Sequence, residues 1–235
     1  MAALRAAWLR HRRFFVVAYG VAVGVLVVSV AIAHLTKRGT LYLFGDLIRI
    51  REQPGAGFFT LVSGFCLASS AVLVALRPTL AASARRSERW AWWGVASGLL
   101  LLACDEILMI HEQVSDALEA VGVPKLAGVV EQDVYIFGLY AVVAAVLAGS
   151  LRHALVEHPE VVLALLAMVV FFGCSQLLDM VPFHDLNRMQ QRSLGPAEEG
   201  FKVLGSWSVL LAGILLVRGS VEAHRPADSP LSPRP

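Results

Sequence analysis

Six apolar runs divide the chain, covering about residues 14–33, 57–76, 90–110, 134–151, 161–181 and 199–217, each bounded by charged residues or turn formers. A helix rises about 1.5 Å per residue, so roughly 20 apolar residues are needed to cross the hydrocarbon core of a bilayer. The pattern therefore predicts an all-α, polytopic integral membrane protein, with about six transmembrane helices bundled over residues 1–222. No soluble domain fits between the runs. Residues 223–235, with Pro226, Pro230, Pro233 and Pro235, lack any apolar period and read as a disordered tail.

The first run has two features of a secretory leader: Arg10, Arg12 and Arg13 precede it, and Ala31-Ile32-Ala33 has the small-x-small form of a cleavage site. Its apolar length of about 20 exceeds the 7 to 15 residues of a leader's core, so an uncleaved anchor is expected.

Composition agrees with a lipid environment. The chain is 57% hydrophobic and 16% charged, with a mean hydropathy of +0.67, too apolar for a soluble domain of this size. A net charge of +2, with no P-loop, zinc knuckle or basic-aromatic motif, argues against nucleic-acid binding. Cys66, Cys104 and Cys174 are an odd number inside apolar runs, which reads as small packing residues rather than a disulfide framework. Lysine and arginine set the expected orientation: 12 fall on the N-terminus, the second and fourth loops and the tail, against 8 on the opposite side. The positive-inside bias then places both termini in the cytoplasm.

The acids are more lopsided. Of 18, only Glu88, Glu157, Glu160, Glu222 and Asp228 belong to the expected inner side, leaving 13 on the outer. Several of these lie at or inside helix ends, where an ionised group is costly unless it meets a partner, a cavity or a metal. The third run closes on Cys104-Asp105-Glu106-Ile107-Leu108-Met109-Ile110-His111-Glu112. Continued as one helix, it would place Asp105, Glu112, Asp116 and Glu119 within an arc of about 60°, flanked by Glu106 and His111. For Asp116 and Glu119 the ordinary reading is the solvated face of an emerging helix. That reading does not explain Asp105 and Glu106, which follow a four-leucine run.

The fifth run ends with Ser175, Gln176 and Asp179, after which Pro182 is expected to end the helix and let His184 and Asp185 turn back over it. The sixth opens Gly195-Pro196-Ala197-Glu198-Glu199-Gly200-Phe201-Lys202, where helix-start chemistry accounts for much of the pattern: proline suits a first turn, and acids there meet the positive end of the macrodipole. The strip from Glu198 through Lys202 to Ser206 continues inward. Asp46, in an amphipathic stretch after the first run, and Glu131 and Asp133, before the fourth, are further outer acids. Ser63, Cys66 and Ser70 share one face of the second helix, a pattern of close helix packing.

Short loops let the third, fifth and sixth helices pack as neighbours, so their polar edges are expected to converge on one outward-facing pocket. Asp105, Glu106, His111, Glu112, Asp179, His184, Glu198 and Glu199 combine carboxylate with imidazole, the ligand preference of zinc, iron or manganese. Of these, Asp105, Glu106, Asp179 and Glu199 are the candidate catalytic groups. No His-Glu-x-x-His, Glu-x-x-His or Gly-x-Ser-x-Gly occurs, nor the paired His-x-x-x-His of seven-span zinc hydrolases. Three readings follow. One is a metal-dependent membrane enzyme acting on a lipid or other amphiphile. A second is a cation- or proton-coupled transporter or channel module. The third is a structural subunit of a membrane complex. Because the inner halves of the helices are almost purely Ala, Val and Leu, the first is preferred over a conduit.

Overall fold

The computed structural model describes residues 2–36, 58–80, 86–124, 133–179 and 188–223. Every element among them is helical: α1 (Ala2–Thr36), α2 (Phe58–Leu80), α3 (Arg86–Leu108), α4 (Ile110–Ala120), α5 (Asp133–Ser150), α6 (Arg152–Glu157), α7 (Pro159–Asp179) and α8 (Arg188–Ala223). Five contain stretches long and apolar enough to cross a membrane: Ala2–Val28, Phe59–Leu80, Arg86–Leu108, Pro159–Leu178 and Ala197–Glu222. The chain is an all-α polytopic membrane bundle. The fourth expected span is present as α5, but its apolar part, Tyr135–Ser150, is shorter than the other five. The tail expected from residue 223 lies almost wholly outside the described residues, as do Asp46, Glu131, His184 and Asp185.

α8 is the central helix. It packs on α7 and α2 and more lightly on α1, while α2 carries α3, and α3 and α4 carry α5. In lipid, apolar side chains gain nothing by leaving solvent for a neighbour, so helices associate through close backbone approach and interhelical hydrogen bonds. The seams show both devices. A Cβ added at Gly64 would lie 2.7 Å from Ile107 of α3, one at Gly205 would lie 2.9 Å from the Phe172 ring of α7, and one at Gly94 would lie 2.9 Å from Leu147 of α5. On α2, Ser63, Cys66 and Ser70 are buried, as the sequence pattern implies. Ser63 hydrogen-bonds Ser206 of α8 at 2.5 Å, and Ser70 donates to the Cys66 carbonyl. Outside the seams, α1 exposes Val16, Val17, Val21, Val25 and Val28, the surface a lipid-facing helix presents.

Two helix boundaries depart from the sequence expectation, and both matter for the polar groups. The third helix does not run on through residue 119: it stops at Leu108, Met109 adopts left-handed backbone at φ 53° and ψ 44°, and α4 starts afresh at Ile110. The single stripe of Asp105, Glu112, Asp116 and Glu119 is therefore broken, because a helical register does not carry across a residue outside helical geometry. α8, in turn, begins at Arg188, so Pro196, Glu198 and Glu199 lie two or more turns inside it and no acid occupies its first turn. The helix-start account of Glu198 and Glu199 is thereby removed, since the macrodipole acts within the first turn only.

Candidate functional site

The end of the bundle where α3 breaks into α4 and the membrane segment of α8 begins holds the densest set of polar groups. Asp105, on the last turns of α3, is 4% exposed. One of its oxygens, Oδ1, accepts the backbone N–H of His111 at 2.7 Å and faces His111 Nδ1 at 3.1 Å. The Tyr140 hydroxyl of α5 interacts electrostatically with the same carboxylate. The two contacts from His111 replace part of the water that a buried carboxylate gives up. They also explain the local fold: the side chain of Met109 makes no capping bond, and Asp105, from the helix before, satisfies an exposed N–H at the start of α4. A carboxylate that receives Nδ1–H holds the imidazole in one tautomer and orientation and leaves the lone pair on Nε2. The ring is further held against Phe137 of α5, centroid to centroid 5.2 Å.

Glu106 points to a different face of α3. It interacts electrostatically with Lys202, Glu199, His111 and Asp105, and its Oε1 is buried without a hydrogen-bond partner among the described residues. Lys202 of α8 lies 3.3 Å from Glu198 Oε1 and 3.2 Å from Glu199 Oε1, with all three side chains largely covered. Asp105, Glu106, His111, Glu198 and Glu199 are thus brought to one end of the bundle, drawn from α3, α4 and α8, with Lys202 as the cation that the acids of α8 share. Of the remaining sequence candidates, Glu112 and Asp179 lie on α4 and α7 but their side chains are outside what is described, and His184 lies outside the described residues. Asp116 and Glu119 of α4 are exposed, as a solvated face requires. Among the described residues, no three His, Cys, Asp or Glu side chains are placed to share a metal ion.

Sequence reasoning overlooked other groups. Tyr140 was hidden in the apolar fourth run, and its phenol beside Asp105 follows only from α5 packing on α3. At the opposite end of the bundle, Arg77 Nη2 of α2 approaches His158 Nε2 at 3.5 Å, and His158 Nδ1 approaches Glu160 Oε1 of α7 at 3.3 Å. The His158 ring sits so close to α8 that a Cβ on Gly219 would meet it at 2.8 Å. The available signal was the paired Arg77-Pro78 and His158-Pro159-Glu160 at helix ends. The half of the bundle opposite Asp105 is therefore not purely aliphatic. Between the two ends lie buried hydroxyls: the Ser63–Ser206 pair, Ser208 with Tyr19 at 2.7 Å, and Ser175, whose Oγ has no partner among the described residues.

No curated protein and no solved structure matches the chain. Residues 18–217, which include the membrane segments apart from the start of the first and the end of the last, match a family described as a domain of unknown function, DUF8692. That match covers most of the chain, from the first membrane helix through the α8 segment that carries Lys202 and Ser206, and the protein belongs to this family.

Proposed function

We propose that the protein is a membrane-embedded enzyme that performs acid–base chemistry at the end of the bundle built by Asp105, Glu106 and His111, on the polar part of a lipid or another amphiphile. The observation that supports this reading is the double engagement of Asp105 by His111, at 2.7 and 3.1 Å, beside a Glu106 oxygen that has no donor among the described residues. An oriented imidazole next to an under-satisfied carboxylate is the pairing that general acid–base catalysis uses. Asp105 is the positioning residue, His111 and Glu106 exchange the proton, and Lys202 with Glu198 and Glu199 forms a charged wall. Asp179 remains a candidate on sequence grounds. A metal-dependent version would draw on His111 and Glu106 together with a ligand beyond the described side chains, since no three of those are placed to share an ion, and zinc, iron or manganese would there supply Lewis-acid activation of water. Both termini are cytoplasmic on the distribution of basic residues, so this site opens to the outer leaflet.

The test is lipid turnover by purified protein in nanodiscs made from a total membrane lipid extract, followed by mass spectrometry. His111→Gln and Glu106→Gln should both abolish consumption of the substrate lipid while melting as the parent does. Wild-type turnover in both variants would sink the assignment. Elemental analysis of the detergent-purified protein separates the two versions, since a stoichiometric divalent metal lost in His111→Gln supports the metal-dependent one.

A second reading, a proton- or cation-coupled module, draws on the Arg77–His158–Glu160 cluster and the buried hydroxyls that lie between it and Glu106. Proteoliposomes loaded with a pH-sensitive dye distinguish it: flux that disappears in His158→Gln as well as in Glu106→Gln favours transport over chemistry.

A further inference from the structure

The start of α3 carries a surface that neither end cluster uses. Arg86, Arg89, Trp90 and Trp93 recur at i, i+3, i+4 and i+7, which places them within an arc of about 100° on one helix face. They line a shallow groove of about 440 Å³. Trp90 and Trp93 are 68% and 47% exposed, whereas Trp92, on the other side of the same turn, is 5% exposed and sits in the core. The helix long and apolar enough to cross a membrane runs Arg86–Leu108, so the two arginines lie in its first turn and the two indoles about one turn further along it.

We infer that this groove binds the headgroup of an anionic phospholipid. The order of the side chains matches such a lipid laid along the helix: guanidinium groups at headgroup depth pair with phosphate oxygens through planar, bidentate hydrogen bonds, and the indoles below cover the glycerol and the first methylenes. Charge complementarity selects the occupant, because two arginines at one headgroup favour a lipid with net negative charge over a zwitterionic one. The apolar indole floor in turn favours a lipid over a soluble phosphate. A purely aromatic anchor, by contrast, has no reason to discriminate between headgroups.

The test is native mass spectrometry of the full chain released from detergent micelles containing phosphatidylglycerol or phosphatidylcholine in equal amounts. One phosphatidylglycerol should be retained per chain in preference to phosphatidylcholine, and Arg86→Gln/Arg89→Gln should weaken that retention by about tenfold or more. Trp90→Leu/Trp93→Leu should weaken it while leaving the preference for the anionic lipid in place. Arg86→Lys/Arg89→Lys, together with a melting curve for every variant, separates loss of the site from loss of the fold, since lysine keeps the charge and should retain most of the binding. Equal retention of the two lipids, or undiminished phosphatidylglycerol binding in the double glutamine variant, overturns the proposal. So does displacement of the lipid by millimolar inorganic phosphate, which would mark a site for soluble phosphate.

Discussion

Asp105 and His111 are joined twice, since a single carboxylate oxygen of Asp105 faces both the backbone N–H and the ring Nδ1 of His111 across the break between α3 and α4. One side chain therefore ends one helix, starts the next and orients an imidazole. Asp105→Asn is nearly isosteric, but it removes the charge and can turn an amide N–H toward the donors of His111. Hydrogen bonds to a charged group contribute about 1.5 to 3 kcal/mol, so the variant should unfold at visibly lower temperature in detergent. An unchanged melting curve would mean that the clasp holds nothing together.

Met109 tests the same junction from the backbone. Its φ of 53° is left-handed, a conformation that costs a side-chain-bearing residue about 1 to 2 kcal/mol and glycine much less. Met109→Gly should melt at or above the parent temperature, and Met109→Val, which is β-branched, clearly below it. The reverse order in a thermal-shift series would contradict the break.

Glycine packing provides a comparison with an internal control. At Gly205 a methyl would meet the Phe172 ring at 2.9 Å, whereas at Gly173 it would meet nothing within 4 Å. Gly205→Ala should cost about 1 to 3 kcal/mol, the usual range for overpacking, and Phe172→Leu in the same chain should recover part of it. Gly173→Ala should be neutral or stabilising. Equal effects at the two positions would argue against the α7–α8 contact.

The Ser63–Ser206 bond is open to a double-mutant cycle. Interhelical hydrogen bonds in membranes average about 0.6 kcal/mol, with a maximum near 1.7, so the coupling between Ser63→Ala and Ser206→Ala should lie in that range. Additive effects, measured by steric trapping or detergent unfolding, would show that the two hydroxyls do not meet.

Lys202 sits between Glu198 and Glu199, and Lys202→Met would remove the cation that both acids share. Removing one partner of a fully buried pair costs about 3 to 5 kcal/mol, and the partial exposure of this trio makes that an upper bound. Adding Glu198→Gln and Glu199→Gln should restore most of the lost stability. Failure of that rescue would show that the lysine's role lies elsewhere, for example against Glu106.

The one-dimensional pattern alone determined the class: an all-α polytopic membrane bundle, and the packing face of Ser63, Cys66 and Ser70, follow from apolar length and helical period, because lipid leaves the backbone few other ways to satisfy its hydrogen bonds, whereas of the about six expected spans five are long enough to cross and the fourth is shorter. Apolar length also located the acids near one end, since Asp105 and Glu106 interrupt leucine. What it could not decide was the meaning of those acids. Periodicity assumes an unbroken helix, and it failed at Met109 because a helical period does not represent a carboxylate that reaches across a left-handed residue to the N–H and ring of His111. It failed again at Pro196, where proline implies a helix start and the helix in fact begins at Arg188. The pairing of Lys202 with Glu198 and Glu199 is local to α8, at i,i+4 and i,i+3, but the approach of Lys202 to Glu106, and of Arg77 to His158, depends on which helix faces which. That is set by glycine contacts and interhelical hydrogen bonds between segments far apart in the chain, and no local pattern encodes it.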